Sequence, residues 1–418
     1  MKVVVIGSGF GGLACALLLA RQGCDVTVLE RQEQPGGCLQ SYRRGTCTFD
    51  TGLHYVGGLA EGQSLYSLFD ELGLMQLPWH RLDADGFDRV TIGGETFVFA
   101  EGYGHFADTL AERFPHEREA LRQYTDLLRD LPSMQDIGEV AAYDYLRQTF
   151  RDPLLIDVLA GTSMKTELRR ESLPLFHFAH GLSSYVQSSW RLQGDGNIIV
   201  NTLIEGIRSC GGAIRCSTEV VELIEREGRI SAARCADGSV CEGDVFVSDV
   251  HPTLTFQMVK QSTVLKRIFR HRFDMLANTV GMFTASLVLK PATLSYFNHN
   301  KYIYRRANVW DAPPEDGTVD RVMVSCRVPV GDAPLQVDLL TPMPWSLCQP
   351  WADTSVGRRG ADYLQMKQRM AEACISLAEQ QLPGLQAAVS TMYTYPIRGR
   401  QQFLYVVCCH VISSALFR

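Results

Sequence analysis

Several protein classes are excluded by what this chain lacks. Its 418 residues include thirteen cysteines but no C-x-x-C pair, so the usual spacing for a structural zinc site or a thioredoxin-like motif is missing. Cys15, Cys216, Cys235 and Cys374 fall inside apparent helices or strands. The pattern reads as reduced thiols of a cytoplasmic protein, with no disulfide frame and no metal site. Basic charge is also short: 40 Lys and Arg stand against 46 Asp and Glu, a net charge of -6. Without a basic field, nucleic acid is not expected as a partner. No segment has the ~20 consecutive apolar residues that span a bilayer. The run beginning at Lys2 could pass for a signal peptide, but Gly7, Gly9, Gly11 and Gly12 would make it a poor helix. Phe403 to Phe417 is too short and contains His410.

What remains is an ordinary globular composition, 46% hydrophobic and 21% charged, with length enough for two domains. Its most informative stretch is the start. Val3-Val4-Val5-Ile6 is an apolar strand, Gly7-Ser8-Gly9-Phe10-Gly11-Gly12 a glycine turn, Leu13 to Arg21 a helix, and Val26-Thr27-Val28-Leu29-Glu30 a strand ending in an acid. The glycines serve separate purposes. Gly7 makes the tight turn, Gly9 lets backbone approach a pyrophosphate closely, and Gly12 lets the helix pack on the strand. The helix N-terminus presents amides and a positive dipole end to the phosphates. Glu30 is placed to accept hydrogen bonds from an adenosine ribose. Strand, turn, helix and acid in this order predict dinucleotide binding.

After Glu30 comes Arg31-Gln32-Glu33-Gln34-Pro35-Gly36-Gly37, where a second glycine pair brings bare backbone toward a ligand. An x-P-G-G stretch soon after the acid resembles the flavin superfamily of amine oxidases, phytoene desaturases and retinol saturases. The segment Phe49-Asp50-Thr51-Gly52-Leu53-His54 is similar to the F-D-x-G-x-H of the desaturase and saturase branch. The resemblance implies FAD as cofactor, bound by Gly7, Gly9, Phe10, Gly11, Gly12, Glu30, Arg31, Gly36 and Gly37. It also implies that His54 and the Gly57-Gly58 backbone lie near the flavin ring or the mouth of a substrate tunnel. His54 is then the one acid–base candidate, by position and by the titration range of imidazole; the plainer reading is a loop histidine bonding a carbonyl.

The organisation is discontinuous. Residues 1–75 open an FAD-binding domain, and a mainly helical insertion follows to 189, with helices predicted over His105–Phe114 and Glu117–Leu131. Nucleotide-domain character returns over 190–255: Gly194-Asp195-Gly196-Asn197, a helix from Ile198 to Ser209, then short strands joined by glycine turns, a β-meander. The resemblance implies that backbone at Val220 and Val221 meets the adenine. Asp249-Val250-His251-Pro252 closes this segment, with His251 read as structural. A substrate domain, 76–189 and 256–390, completes the expected fold: α/β, a Rossmann-like FAD-binding domain of parallel sheet plus meander with an inserted α+β substrate domain. Thr341-Pro342-Met343-Pro344-Trp345 reads as a stiff loop. Gly360–Gln381 reads as a long amphipathic helix whose Met-rich stripe is core. The resemblance stops near residue 390. Family members go on to a closing glycine-rich strand–helix segment over the flavin, whereas 391–418 forms an atypical tail, read as a truncated or frameshifted end that would leave flavin binding and activity doubtful; its Cys408-Cys409-His410 run is a poor metal site.

The implied activity is hydride transfer between flavin and a carbon–carbon bond of an apolar isoprenoid or polyene, which also suggests peripheral membrane contact. Two alternatives stand beside it: an amine-oxidase-type flavoenzyme, and a non-catalytic lipid-binding protein like the Rab GDP-dissociation inhibitors, which share the fold.

Overall fold

The computed structural model describes residues 1–131, 140–166, 168–275, 279–331, 334–355 and 358–395. The chain divides into two compact units. One comprises Met1–Leu53, Leu68–Leu77 and residues from Gly194 to 278; the other comprises His54–Ser67, Pro78–Gln193 and the chain from 279 onward. The first divide thus falls between Leu53 and His54, ahead of position 75, and residues 256–275 pack with the first unit.

In the first unit, β1 (Lys2–Ile6) lies between β2 (Asp25–Leu29) and the strand Val245–Ser248, with Ala213–Arg215 beyond β2; all pairings are parallel. Strands covered on both faces need continuous apolar runs, and Val3, Val4, Val5 and Ile6 are all buried. Helix α1 (Phe10–Arg21) follows from its Ala- and Leu-rich sequence and stops at Gly23, whose φ of +81° turns the chain back. The helix Asn197–Ser209 packs beside α1, where Gly206 leaves room for Leu17. The predicted meander is present as Val220–Arg226, Arg229–Cys235 and Val240–Glu242, antiparallel throughout.

The second unit is built on a seven-stranded sheet in the order Val389–Tyr395, Gly281–Leu289, Gln336–Met343, Arg321–Cys326, Asn300–Tyr304, Asp88–Ile92, Glu95–Phe99. Only the pairing of Asn300–Tyr304 with Asp88–Ile92 is parallel. Side-chain alternation sorts its residues into two cores. Val90, Tyr302, Tyr304, Met323 and Leu340 face the helices of the 103–187 segment. Ile303, Val322, Val324, Val337 and Leu339 face the helix Gly360–Ala378. In that helix Tyr363, Met366, Met370, Cys374 and Leu377 are buried, so the Met-rich stripe is core.

Two expectations change. The insertion read as mainly helical contains the hairpin Asp88–Ile92/Glu95–Phe99, turned by Gly93 and Gly94 at φ +58° and +93°. The stretch Thr341-Pro342-Met343 is the end of a strand, not a loop. Pro342 is tolerated because pairing with Arg321–Cys326 stops at Leu340, so its missing N–H breaks no ladder bond on that side. The tail from 396 to 418, including Cys408-Cys409-His410, lies outside the described residues.

Candidate functional site

The glycine turn after β1 is the most constrained backbone in the first unit. Gly7 sits at φ +95° and its N–H donates to the Leu29 carbonyl at 2.9 Å, tying the turn to the end of β2. A Cβ on Gly12 would come within 2.4 Å of the Gly7 carbonyl oxygen. The turn therefore admits glycine alone at that position for packing. Gly9 is the N-cap of α1 and has no side chain with which to cap it.

The second glycine pair closes on the first. Gly36, at φ +117°, donates its N–H to the Ser8 carbonyl and to Ser8 Oγ, each at 3.1 Å. A Cβ on Gly37 would stand 3.1 Å from Gly9 Cα. The two glycine-rich stretches thus share one surface, and the x-P-G-G segment is not a detached turn. The helix Asn197–Ser209 abuts the same loop: Asn197 Oδ1 accepts from Gln34 Nε2 at 3.0 Å, and Gly196 N–H donates to Asp50 Oδ1 at 2.7 Å.

Glu30 is buried at the end of β2. Its carboxylate accepts from Ser8 N–H at 3.0 Å, Ser8 Oγ at 2.5 Å and Gln32 N–H at 2.8 Å. Ser8, to the sequence no more than a turn residue, is the link between the acid and the turn. An ionised carboxylate has about four acceptor positions, so one remains for a ligand hydroxyl. Arg31 is half-buried beside it, and the Phe10 ring lies 6.0 Å from that of Phe69. Val220 and Val221 begin the first meander strand, Val220 half-buried and Val221 exposed. Thr218, two residues earlier, donates its N–H to the Glu30 carbonyl at 2.8 Å.

One residue at the turn is marked in the sequence only as the start of the closing Asp249-Val250-His251-Pro252 stretch. Asp249, just past the strand Val245–Ser248, points its carboxylate into the concave side of the glycines. A Cβ on Gly9 would meet its Oδ2 at 2.4 Å, one on Gly12 the same oxygen at 3.1 Å, and one on Gly11 its Oδ1 at 3.0 Å. The backbone amides of Gly12 and Gly9 favour its charged form. Burial pushes the Asp249 pKa up to about 6; the Gly12 amide opposes that rise, the Glu30 charge adds to it, and the Gly9 amide opposes it. The first turn of α1 thus already receives an anion, as unpaired amides and a helix dipole favour. A cradle of glycines that bring no side chain of their own, entered by Asp249 alone, with the start of a helix facing it and an acid at the end of β2, fits a pyrophosphate and its ribose once Asp249 gives way. In this respect the residues fit FAD.

His54 and Gly57-Gly58 belong to the second unit. His54 is half-buried next to buried Tyr55. A Cβ on Gly57 would come within 2.4 Å of the Ser184 carbonyl carbon, so that glycine is required by helix Leu175–Gln187 passing close by. Tyr55 anchors a buried polar chain that the sequence alone does not reveal. Its hydroxyl donates to Asp88 Oδ2 at 2.8 Å and pairs with the Tyr302 hydroxyl at 2.7 Å. Asn300 Nδ2 donates to Asp88 Oδ1 at 2.8 Å, and Arg191 Nη2 to Asn300 Oδ1 at 2.7 Å. Burial, with the Asp88 charge adding, drives both tyrosine pKa values well above their ordinary value. His251 caps the helix Pro252–Met258 by accepting from Thr253 N–H at 3.3 Å, a structural role. Among the described residues no group of His, Cys, Asp or Glu is arranged to hold a metal, and no helix is long and apolar enough to cross a membrane.

Comparison with known proteins bears on the fold and the class of protein. Residues 5–72 match the NAD(P)-binding Rossmann-like domain family. All-trans-retinol 13,14-reductase of Rattus norvegicus is 24% identical, the match covering 94% of this chain and 74% of the relative. A lycopene-forming phytoene desaturase of Pseudescherichia vulneris is 25% identical over 61% of this chain and 57% of its own length. Among solved structures, cyclohexylamine oxidase from Brevibacterium oxydans superposes with a TM-score of 0.64 over 97% of this chain and 90% of its own, at 14% identity, a likeness of fold alone. The fold is α/β with a Rossmann-like domain. The chain is a FAD-dependent oxidoreductase similar to phytoene desaturases and retinol saturases.

Proposed function

We propose that this chain moves a hydride between FAD and a carbon–carbon bond of an apolar isoprenoid or polyene. The observation that carries the substrate class is similarity along 94% of the chain to a retinol reductase, with a desaturase of another polyene as a second relative. An amine-oxidase activity is the weaker reading, because its support is a likeness of fold at 14% identity.

In this reading the flavin supplies the redox chemistry, and the protein supplies binding, orientation and exclusion of water. Backbone at Gly7, Gly9, Phe10, Gly11 and Gly12, with Gly36 and Gly37, would hold the pyrophosphate. Glu30 would take one ribose hydroxyl, Arg31 would lie alongside, and backbone at Val220 and Val221 would flank the adenine. His54 moves the proton that accompanies the hydride, a role that rests on its place in the segment 49–54. Delivery of an apolar substrate implies contact with a lipid surface. Exposed Val264, Ile268, Phe269 and Met275 stand among Lys266, Arg267, Arg270 and Arg272, a mix suited to anionic lipid.

The test is to purify the protein, record its flavin absorbance and follow polyene absorbance after adding all-trans-retinol or phytoene under reducing and oxidising conditions. A shift in the polyene bands that depends on bound flavin supports the reading. Turnover of amines with inert polyenes would replace it with the amine-oxidase reading, and absence of flavin would remove both. His54→Ala is expected to lose at least 100-fold in turnover while retaining flavin; unchanged turnover would discharge His54 from proton transfer.

A further inference from the structure

We propose that Asp249 is a built-in competitor for the phosphate-binding turn: its carboxylate must lose its charge or leave the turn before a pyrophosphate can take the same amides. This rests on the FAD reading above. Three glycines of the turn have their vacant Cβ directions aimed at this one side chain, the nearest at 2.4 Å from Oδ2. The N–H groups of Gly9 and Gly12, the donors a phosphate would need, lie on its side of the turn and favour its charged form. Two anions cannot share one pair of donors, so the carboxylate and the cofactor exclude each other.

The position of Asp249 makes the competition sensitive to pH. Glu30, from the end of β2, is the charged group acting on it, and the Cys15 thiol faces it from α1, its own pKa raised by burial and by Asp249. His251 follows two residues along the same segment. Among the described residues neither a lysine nor an arginine contributes to its environment. A carboxylic acid held by burial and a like charge takes up its proton near pH 6, above the ordinary range of Asp. Below that pH the side chain is neutral and yields its amides at little cost; above it the charge holds them. Cofactor affinity therefore falls as pH rises.

The experiment measures FAD binding to the flavin-free protein by fluorescence quenching between pH 5 and 8, for wild type, Asp249→Asn and Glu30→Gln. In wild type the dissociation constant rises above about pH 6, by tenfold per pH unit at most, the slope for release of one proton. Asp249→Asn binds more tightly than wild type at pH 8 and loses the slope. A flat wild-type profile overturns the proposal without needing any variant to fold. So does a slope that persists in Asp249→Asn and vanishes in Glu30→Gln, which would assign it to Glu30. Either outcome leaves the FAD reading intact. No binding by wild type at any pH overturns that reading and this one together.

Discussion

At the scale of single residues, the glycines of the first turn are not interchangeable. A side chain on Gly12 would strike the Gly7 carbonyl oxygen at 2.4 Å, and backbone cannot step aside. Gly12→Ala is therefore expected to lower stability by about 1–3 kcal/mol, read as an earlier midpoint in urea. A side chain on Gly9 would meet the tip of Asp249 instead, which can swing away. Gly9→Val should leave the urea midpoint nearly unchanged and abolish flavin retention; full flavin content would remove the turn from the cofactor site. Glu30→Ala has two effects, because its carboxylate bonds Ser8 and Gln32 as well as facing the proposed ribose. Stability is expected to drop by about 1–3 kcal/mol from the stranded Ser8 amide, together with weaker FAD binding.

At the scale of elements, the buried chain from Tyr55 through Asp88 to Asn300 and Arg191 joins the segment after His54 to the seven-stranded sheet. Tyr55→Phe removes one donor from a fully buried carboxylate and should cost about 1–3 kcal/mol. A double-mutant cycle with Tyr302→Phe checks the network: the two losses should fall short of additivity, since their hydroxyls bond each other. Some elements are readable in the sequence and some are not, for definite reasons. The helix Asn197–Ser209 and the meander show themselves through apolar periodicity and glycine turns. The hairpin Asp88–Phe99 escapes because its Gly93-Gly94 turn is flanked by short strands inside a segment dominated by helices. Pro342 argues for a loop because a proline's cost depends on whether a neighbour needs its N–H, and pairing is not written in the local sequence.

At the scale of the whole molecule, stability should respond to pH and to cofactor. Asp157, on the helix Pro153–Ala160, has its pKa pushed up to about 6 by burial, with Arg170 opposing. The folded protein then binds more protons than the unfolded chain between about pH 4 and 6. Its contribution therefore destabilises as pH rises through that window. Asp157→Asn should remove this component and raise the melting temperature at pH 7 while changing it less at pH 4; an equal shift at both would refute the assignment. FAD at about 100 times its dissociation constant should stabilise the folded protein by about 2.7 kcal/mol, visible as a higher melting temperature.

The sequence by itself determined the strand, glycine turn, helix and acid that point to a dinucleotide, and the second glycine pair whose resemblance points to FAD. These were legible because neighbours along the chain build them: φ-permissive glycines, amides at a helix start and an acid at a strand end need no distant partner to be recognised. Only the tertiary structure decided that Gly36 and Gly37 close on Ser8 and Gly9, that Asp249 enters the turn, that Tyr55 meets Asp88 and Tyr302, and that the chain divides between Leu53 and His54. Each of these depends on which remote segments pack together, and an isolated Asp or Tyr carries no mark of the backbone that will fold against it.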